Sequence, residues 1–347
     1  MLFFFGLSTW LVVTDYAESP GKTFADRLPK NIVTATIPVN SASVSAVSLD
    51  SKTLYVLNYG PPSAVTVINT TTNAITASIP IGHSGAWTED LVLSPDGQIL
   101  YVEDSAYNAV YMVDTATNTV TGSVPNYPVA PTRLAVSPDG QSLWQFSEGS
   151  ISIVDIASDR FAPGINIGLD NAYDGVFSPD GGNVYVLAQS SKNYRFGLFQ
   201  VNPNSLPSSV RKWRQSRVAK AGTTGFYPII SPDGKTVYVG GVAERAGQPI
   251  DSIAVYDVTQ QKIEKEIPIE NYGNPGRSAI TTDGKYIFVP CNGGFVLMIS
   301  TVHNRVIGPA IAVGGSPVFV AISPNGERAY VTDQKNNLVS VIDISAQ

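Results

Sequence analysis

The chain has 347 residues, a formal net charge of −6, one cysteine and two histidines. These numbers exclude an intrachain disulfide, a cysteine-based zinc cluster and a three-histidine metal site, and they argue against a globally basic nucleic-acid binder. Charged residues make up 14% and hydrophobic residues 43%, the balance of a folded chain rather than a disordered one, and the length admits two ordinary domains or one large all-β domain.

The N-terminus opens with a twelve-residue apolar run, Leu2 to Val13. A transmembrane helix needs about 20 residues, so no transmembrane segment is predicted. The run has the length of the apolar core of a secretory signal. No Lys or Arg precedes it, and no clean small-x-small site follows around Asp15-Tyr16-Ala17-Glu18. Residues 1–30 are therefore read as an N-terminal extension or an imperfect signal-like segment. A secreted or cell-envelope location is expected, with a cytoplasmic one left open. Asn69-Thr70-Thr71 is a glycosylation sequon, meaningful only in a eukaryotic secretory route.

From residue 31 onward the chain repeats. Ser-Pro-Asp-Gly stands at Ser94–Gly97, Ser137–Gly140, Ser178–Gly181 and Ser231–Gly234, with degenerate copies at Ser48–Ser51, Thr281–Gly284 and Ser323–Gly326. Proline presets the first corner of such a turn and glycine accepts a positive φ, so these serines are predicted to be turn residues and not nucleophiles. Each copy sits in the same frame. An apolar run (Leu134-Ala135-Val136) precedes the turn, and a second strand follows it (Leu100-Tyr101-Val102, Val237-Tyr238-Val239). A third strand (Val65–Ile68, Val110–Val113, Ile253–Tyr256), a polar turn such as Asp114–Asn118 and a fourth strand (Ala74–Pro80) complete the unit. Alternation and β-branched residues mark these runs as strands.

Seven such units predict an all-β, seven-bladed β-propeller of four antiparallel strands per blade over residues 31–347. The chain enters this region with a fourth strand, Ile32–Pro38, and leaves it with a third, Val339–Asp343. The N-terminal strand is thus expected to join the last blade and close the ring without an exposed edge. The phrases SPDGQILYVEDS, NAVYMVDTATNTV, ITASIPIG and SPNGERAYVTDQ resemble the YVTN family of β-propeller repeats. The resemblance spans about residues 31–345. It implies a kinship with surface-layer and exported binding proteins and, more distantly, with seven-bladed lactonases. It speaks to fold rather than activity, because its motif residues build turns and strands.

Four residues before each tetrapeptide, where the innermost strand begins, stand Val44, Asp90, Arg133, Asp174, Tyr227, Arg277 and Phe319. Two positions later the same strands carry Ala46, Val92, Ala135, Val176, Ile229, Ala279 and Ala321. One repeat position maps to one ring around the axis, so charge is predicted at the channel mouth above a small, apolar wall. Two readings follow. One is a structural ring of ion pairs, Asp90–Arg133–Asp174, between neighbouring blades. The other is a ligand site of convergent polar groups in an apolar surround. In the second, Arg277 is expected to lack a partner within the protein, because its ring neighbours Tyr227 and Phe319 are uncharged.

The loop 81–90 brings His83, Trp87, Glu89 and Asp90 to the same face, where a histidine beside carboxylates can act as a general base. Tyr59, Glu103, Tyr107, Tyr127, Asp170, Tyr173, Tyr194, Arg195, Phe226 and Tyr272 are further candidates there; His303 falls on the opposite face. Two insertions break the repeat: 202–227, with Arg211, Lys212, Arg214, Arg217 and Lys220, and 240–251. The basic one reads as a solvated edge or a dock for an acidic partner. No phosphate-binding loop, Gly-x-Ser-x-Gly elbow or calcium loop occurs. A metal on Asp90, Asp174 and Glu89 would be repelled by Arg133 and Arg277, so no metal and no cofactor are expected.

The leading expectation is a propeller binding a small-molecule or polymer ligand, or a protein partner, at its mouth. Its ligand residues would be Asp90, Arg133, Asp174, Tyr227, Arg277, Phe319, Trp87 and Tyr173. The alternative is a metal-independent enzyme at the same mouth, for lactone hydrolysis or acid/base-assisted cyclisation. Catalysis would then rest on His83, Glu89, Asp90, Arg133, Asp174 and Arg277. A surface-layer or adhesion module is a further alternative.

Overall fold

The computed structural model describes residues 29–60, 62–82, 90–125, 133–147, 150–158, 160–161, 171–189, 196–203, 227–245 and 248–345. They form seven antiparallel sheets arranged as a ring, a seven-bladed β-propeller. Blade one comprises β2 (Ala42–Val47), β3 (Thr53–Asn58), β4 (Ala64–Asn69) and β5 (Ala74–Pro80). Blade two comprises β6 (Leu91–Leu93), β7 (Ile99–Asp104), β8 (Ala109–Asp114) and β9 (Thr119–Pro125). Blade three runs from β10 (Arg133–Val136) through β11 (Ser142–Ser147) and β12 (Ser150–Asp155) to β13 (Arg160–Phe161). In blade four the described strands are β14 (Asn171–Phe177), β15 (Val184–Gln189) and β16 (Phe196–Val201). Blade five holds β17 (Pro228–Ile230), β18 (Thr236–Arg245), β19 (Gln248–Asp257) and β20 (Lys262–Pro268). Blade six holds β21 (Ala279–Ile280), β22 (Tyr286–Cys291), β23 (Phe295–Ser300) and β24 (Arg305–Ala312).

Blade seven is built from both ends of the repeat region. Strands β25 (Phe319–Ile322), β26 (Arg328–Asp333) and β27 (Leu338–Asp343) are completed by β1 (Ile32–Pro38). The β1–β27 ladder runs from Ile32↔Asp343 to Pro38↔Leu338, the closure that the unmatched fourth strand predicted. It leaves no open edge where the ring begins and ends.

The turns explain the repeated tetrapeptide. In blade two the Ser94 hydroxyl donates to Asp96 Oδ1 (2.6 Å) and accepts from the Ile99 amide (3.0 Å), while Asp96 Oδ1 also accepts from the Gln98 amide (3.0 Å). Gly97 closes the turn at φ 71°, the left-handed region. The Ser94 hydroxyl, then the Gln98 amide, holds the Asp96 carboxyl below its ordinary value. The serine or threonine hydroxyls of Ser48, Ser137, Ser178, Ser231 and Thr281 make the same bond to the aspartate two residues on. These serines are structural.

The core is divided into seven apolar clusters, each between two successive blades. Strand alternation sends one face of a sheet to the preceding blade and the other to the next. The insertion expected over 240–251 lengthens a strand pair. Its residues extend the β18–β19 ladder from Gly241↔Ser252 to Arg245↔Gln248, so the hairpin projects past the ring in the blade that supplies Tyr227. The basic segment at 211–220 lies outside the described residues.

Candidate functional site: the channel mouth

At or near the start of the innermost strand, six blades bring a side chain to a common place, while Val44 of blade one packs in the cluster between blades one and two. Arg133 and Phe319 open β10 and β25, Asp90 and Tyr227 immediately precede β6 and β17, and Arg277 stands two residues before β21. Asp174 lies within β14 next to a register irregularity between Ala172 and Asp174. The extra residue of such a bulge redirects the side chains beside it. Arg277 is fixed by its backbone, which bridges to blade seven in parallel: its N–H donates to Val318 O (2.9 Å) and its carbonyl accepts from the Val320 N–H (3.0 Å).

These side chains meet. Arg277 Nη1 donates to Asp90 Oδ1 at 2.5 Å, and Arg277 Nη2 lies 4.0 Å from Asp174 Oδ2. Arg277 therefore crosses from blade six to blades two and four. The Arg133 guanidinium donates to the Tyr227 hydroxyl (3.0 Å) and lies 5.1 Å from that ring's centre. The Arg277 guanidinium lies 5.6 Å from the Tyr227 ring and 5.5 Å from the Phe319 ring. Two guanidinium groups thus share one aromatic ring, a cation–π arrangement. Like charges around one ring are tolerable because two carboxylates accompany them.

The carboxylates are also tied to the blades. Asp90, fully buried, accepts the Leu134 amide of blade three through Oδ2 (2.9 Å). Asp174 accepts the Gly175 amide through Oδ1 (2.7 Å). Burial pushes the Asp174 carboxyl up to about 6 against the pull of Arg277 and Arg133. Burial pulls Arg277 down, yet the Asp90 and Asp174 carboxylates outweigh it and hold its proton more firmly than usual.

The structure corrects the predicted pairing. The ring is not a chain of neighbour-to-neighbour bridges from Asp90 through Arg133 to Asp174, and Arg277 is not without a partner. Ring neighbours diverge around the axis, whereas a long arginine side chain spans it. The expectation for Arg277 failed because it considered only adjacent blades.

Other candidates are dispersed. Tyr173 packs against the apolar cluster between blades four and five, and Tyr272 packs against that between blades five and six, edge-on to Phe295 at 5.5 Å. Tyr107 is exposed, Tyr59 half-buried, and His303 lies in an exposed turn of the opposite face. Glu103 is fully buried between blades two and three instead of lying at the mouth. His83, Trp87, Glu89, Tyr127, Asp170, Tyr194, Arg195 and Phe226 lie outside the described residues. Among the described residues, no cluster of three or more His, Cys, Asp or Glu side chains could hold a metal, and no helix is long and apolar enough to cross a membrane. One polar residue escaped the sequence reading. Gln145, 1% exposed, occupies a strand-two position that is valine in the six other blades: Val56, Val102, Val186, Val239, Val289 and Val331.

No protein-family description matches the chain. Antigen Lp49 of Leptospira interrogans is 23% identical over 186 residues, covering 48% of this chain and 37% of that protein, so the matched region spans little more than a third of the relative. Among solved structures, the hydrazine synthase of Kuenenia stuttgartiensis matches 90% of this chain and 98% of its own at TM-score 0.75 and 17% identity. The β-propeller domain of Cps50 (Swd1) from Myceliophteria thermophila matches 91% of this chain and all of its own at TM-score 0.73 and 12% identity. A chain of a mitotic checkpoint complex matches 97% of this chain and 99% of its own at TM-score 0.71 and 12% identity. At these identities the likeness is one of fold, and it identifies the chain as a seven-bladed β-propeller.

Proposed function

We propose that the protein is a binding propeller that takes an anionic or carbonyl-bearing ligand at its channel mouth. The fold is one that serves binding and scaffold roles. The observation that carries the finer reading is the convergence of Asp90, Arg133, Asp174, Tyr227, Arg277 and Phe319, from six blades, on one place. Asp90 and Asp174 compensate Arg277. The half-buried Arg133–Tyr227 pair offers a guanidinium, a phenol and an aromatic face to a ligand carbonyl or carboxylate. A thermal-shift and calorimetric screen with acetate, malonate, succinate and γ-butyrolactone tests this. At least one should raise the melting temperature of wild type and lose that effect in Arg133→Gln and Tyr227→Phe. If none binds and nothing copurifies in native mass spectrometry, the mouth is purely structural.

A second reading, a metal-independent acid/base enzyme at the same place, is favoured by Asp174 alone, since a carboxyl pushed up to about 6 is poised to exchange a proton near neutrality. Turnover of γ-butyrolactone by wild type and its loss in Asp174→Asn would select it. The twelve-residue apolar run Leu2–Val13 favours an exported location. Expression with the native N-terminus and sequencing of the product would show whether the run before residue 30 is removed.

A further inference from the structure

The interface between blades two and three differs from its equivalents. In three of the other interfaces, a strand-two residue facing the next blade shares an apolar cluster with the strand-two valine that faces back. Leu57 and Val102 share the cluster between blades one and two. Phe146 and Val186 share that between blades three and four, and Leu187 and Val239 that between blades four and five. Between blades two and three the same pair is Glu103 and Gln145. Their orientation follows from their neighbours. Glu103 pairs with Val110 across β7–β8, and Gln145 with Leu134 across β10–β11. Directly paired residues lie on one face of a sheet. Val110 and Leu134 both belong to the apolar cluster between blades two and three, so Glu103 and Gln145 face each other across it.

Both are sealed from bulk solvent, Glu103 at 0% and Gln145 at 1% exposure. Neither the Gln145 amide nitrogen nor its oxygen reaches a hydrogen-bond partner in the protein. Where those three interfaces hold an apolar pair, this one holds two polar side chains, and the Gln145 carboxamide is costly to bury dry. Ser152, buried and paired with Gln145 across β11–β12, adds a hydroxyl to the same face. The seam adjoins the mouth, because the Glu103 amide donates to the Asp90 carbonyl (3.0 Å) and the residue paired with Gln145, Leu134, donates to the Asp90 carboxylate.

We propose that this seam is a second binding site, selective for a hydroxyl group. The chemistry follows from the carboxamide. Its nitrogen needs an acceptor and its oxygen needs a donor, and a hydroxyl oxygen with its proton supplies both. A cation would satisfy the oxygen and leave the N–H groups bare. An anion would do the reverse and would face the Glu103 carboxyl. The hydroxyl is that of a buried water or of an alcohol group on an organic guest. Glu103 and Ser152 supply the remaining polar surface.

A crystal structure of the full chain tests this. The expected result is density within hydrogen-bond distance of both Gln145 Nε2 and Oε1. Single-atom density that survives exhaustive dialysis identifies water, and extended density lost on dialysis identifies an alcohol; a dry seam overturns the proposal. Thermal melting of Gln145→Val gives an independent measure. If a guest satisfies the carboxamide, valine leaves Glu103 facing a lost network and the melting temperature falls by several degrees. A rise by a few degrees would mean that valine had relieved a dry, unsatisfied group, and the proposal would fail. Should that variant not fold, the wild-type density decides alone.

Discussion

Replacing Arg277 by alanine isolates the central ion cluster. The substitution removes the 2.5 Å partner of Asp90, whose side chain is wholly inaccessible, and the 4.0 Å partner of Asp174, which is nearly so. A buried carboxylate left without its counter-charge costs about 3–5 kcal/mol, because the interior cannot replace the lost solvation. The guanidinium also stacks on Tyr227 and Phe319, and each desolvated contact of that kind contributes about 0.5–2 kcal/mol. Urea unfolding at pH 7.5 should therefore place Arg277→Ala at least 3 kcal/mol below wild type, on the order expected for a broken buried pair. Replacing both partners, as in Arg277→Met with Asp90→Leu, should recover only part of the loss, since it removes the uncompensated Asp90 charge but leaves the Leu134 amide without its acceptor and Asp174 without its cation. A single variant within about 1 kcal/mol of wild type, well under the cost of a broken buried pair, would refute the reasoning. It would mean that solvent reaches Asp90 or that another cation replaces Arg277.

Three further outcomes are expected. Because the Asp174 carboxyl titrates at about 6 in the folded protein, above the ordinary 3.8, folding favours its protonated form. The stability from this proton is fully present below about pH 4 and lost as the pH rises through about 6; at about 1.4 kcal/mol per pKa unit the window is worth about 3 kcal/mol. Asp174→Asn should flatten the stability profile across pH 4–7 and be the more stable protein at pH 7.5; an unchanged profile would count against the burial argument. Deleting residues 1–40 removes β1 together with Ile37 and Val39 and uncovers Val339 and Val341 of the same apolar cluster, so the melting temperature should fall steeply, and an unaltered melt would exclude ring closure by β1. A β-carbon on Gly175 would come within 2.3 Å of the Phe146 ring of blade three. Gly175→Ala should then cost about 1–3 kcal/mol in urea unfolding, as overpacking does, unless that ring can swing aside.

Much of the fold was legible because its determinants are local and periodic. Ser-Pro-Asp-Gly carries its own turn: the serine hydroxyl, the aspartate carboxylate and the positive-φ glycine bond within five residues, so each copy announces a strand on either side. Alternation then sets the faces, and the unmatched strand Ile32–Pro38 implied its partner, Leu338–Asp343. The same periodicity selected Asp90, Arg133, Asp174, Tyr227, Arg277 and Phe319 as one ring, because equivalent positions in a repeat occupy equivalent places around an axis. Pairing within that ring was beyond sequence reasoning. Repeat position gives the order of residues around the channel but not its width, and the width determines whether Arg277 can reach Asp90 and Asp174 on other blades. The insertion at 240–251 likewise read only as a break in the repeat, since nothing local showed that β18 and β19 continue through it by pairing with each other. Glu103 shows the same limit. The repeat placed it among the candidates on the face of the mouth, and only its ladder partner Val110 and the blade packed against it show it enclosed on the side of Gln145. Turns and strands depend on neighbours along the chain, and these the sequence by itself determined. Charge pairing and burial depend on neighbours across the channel and between blades, and these only the tertiary structure decided.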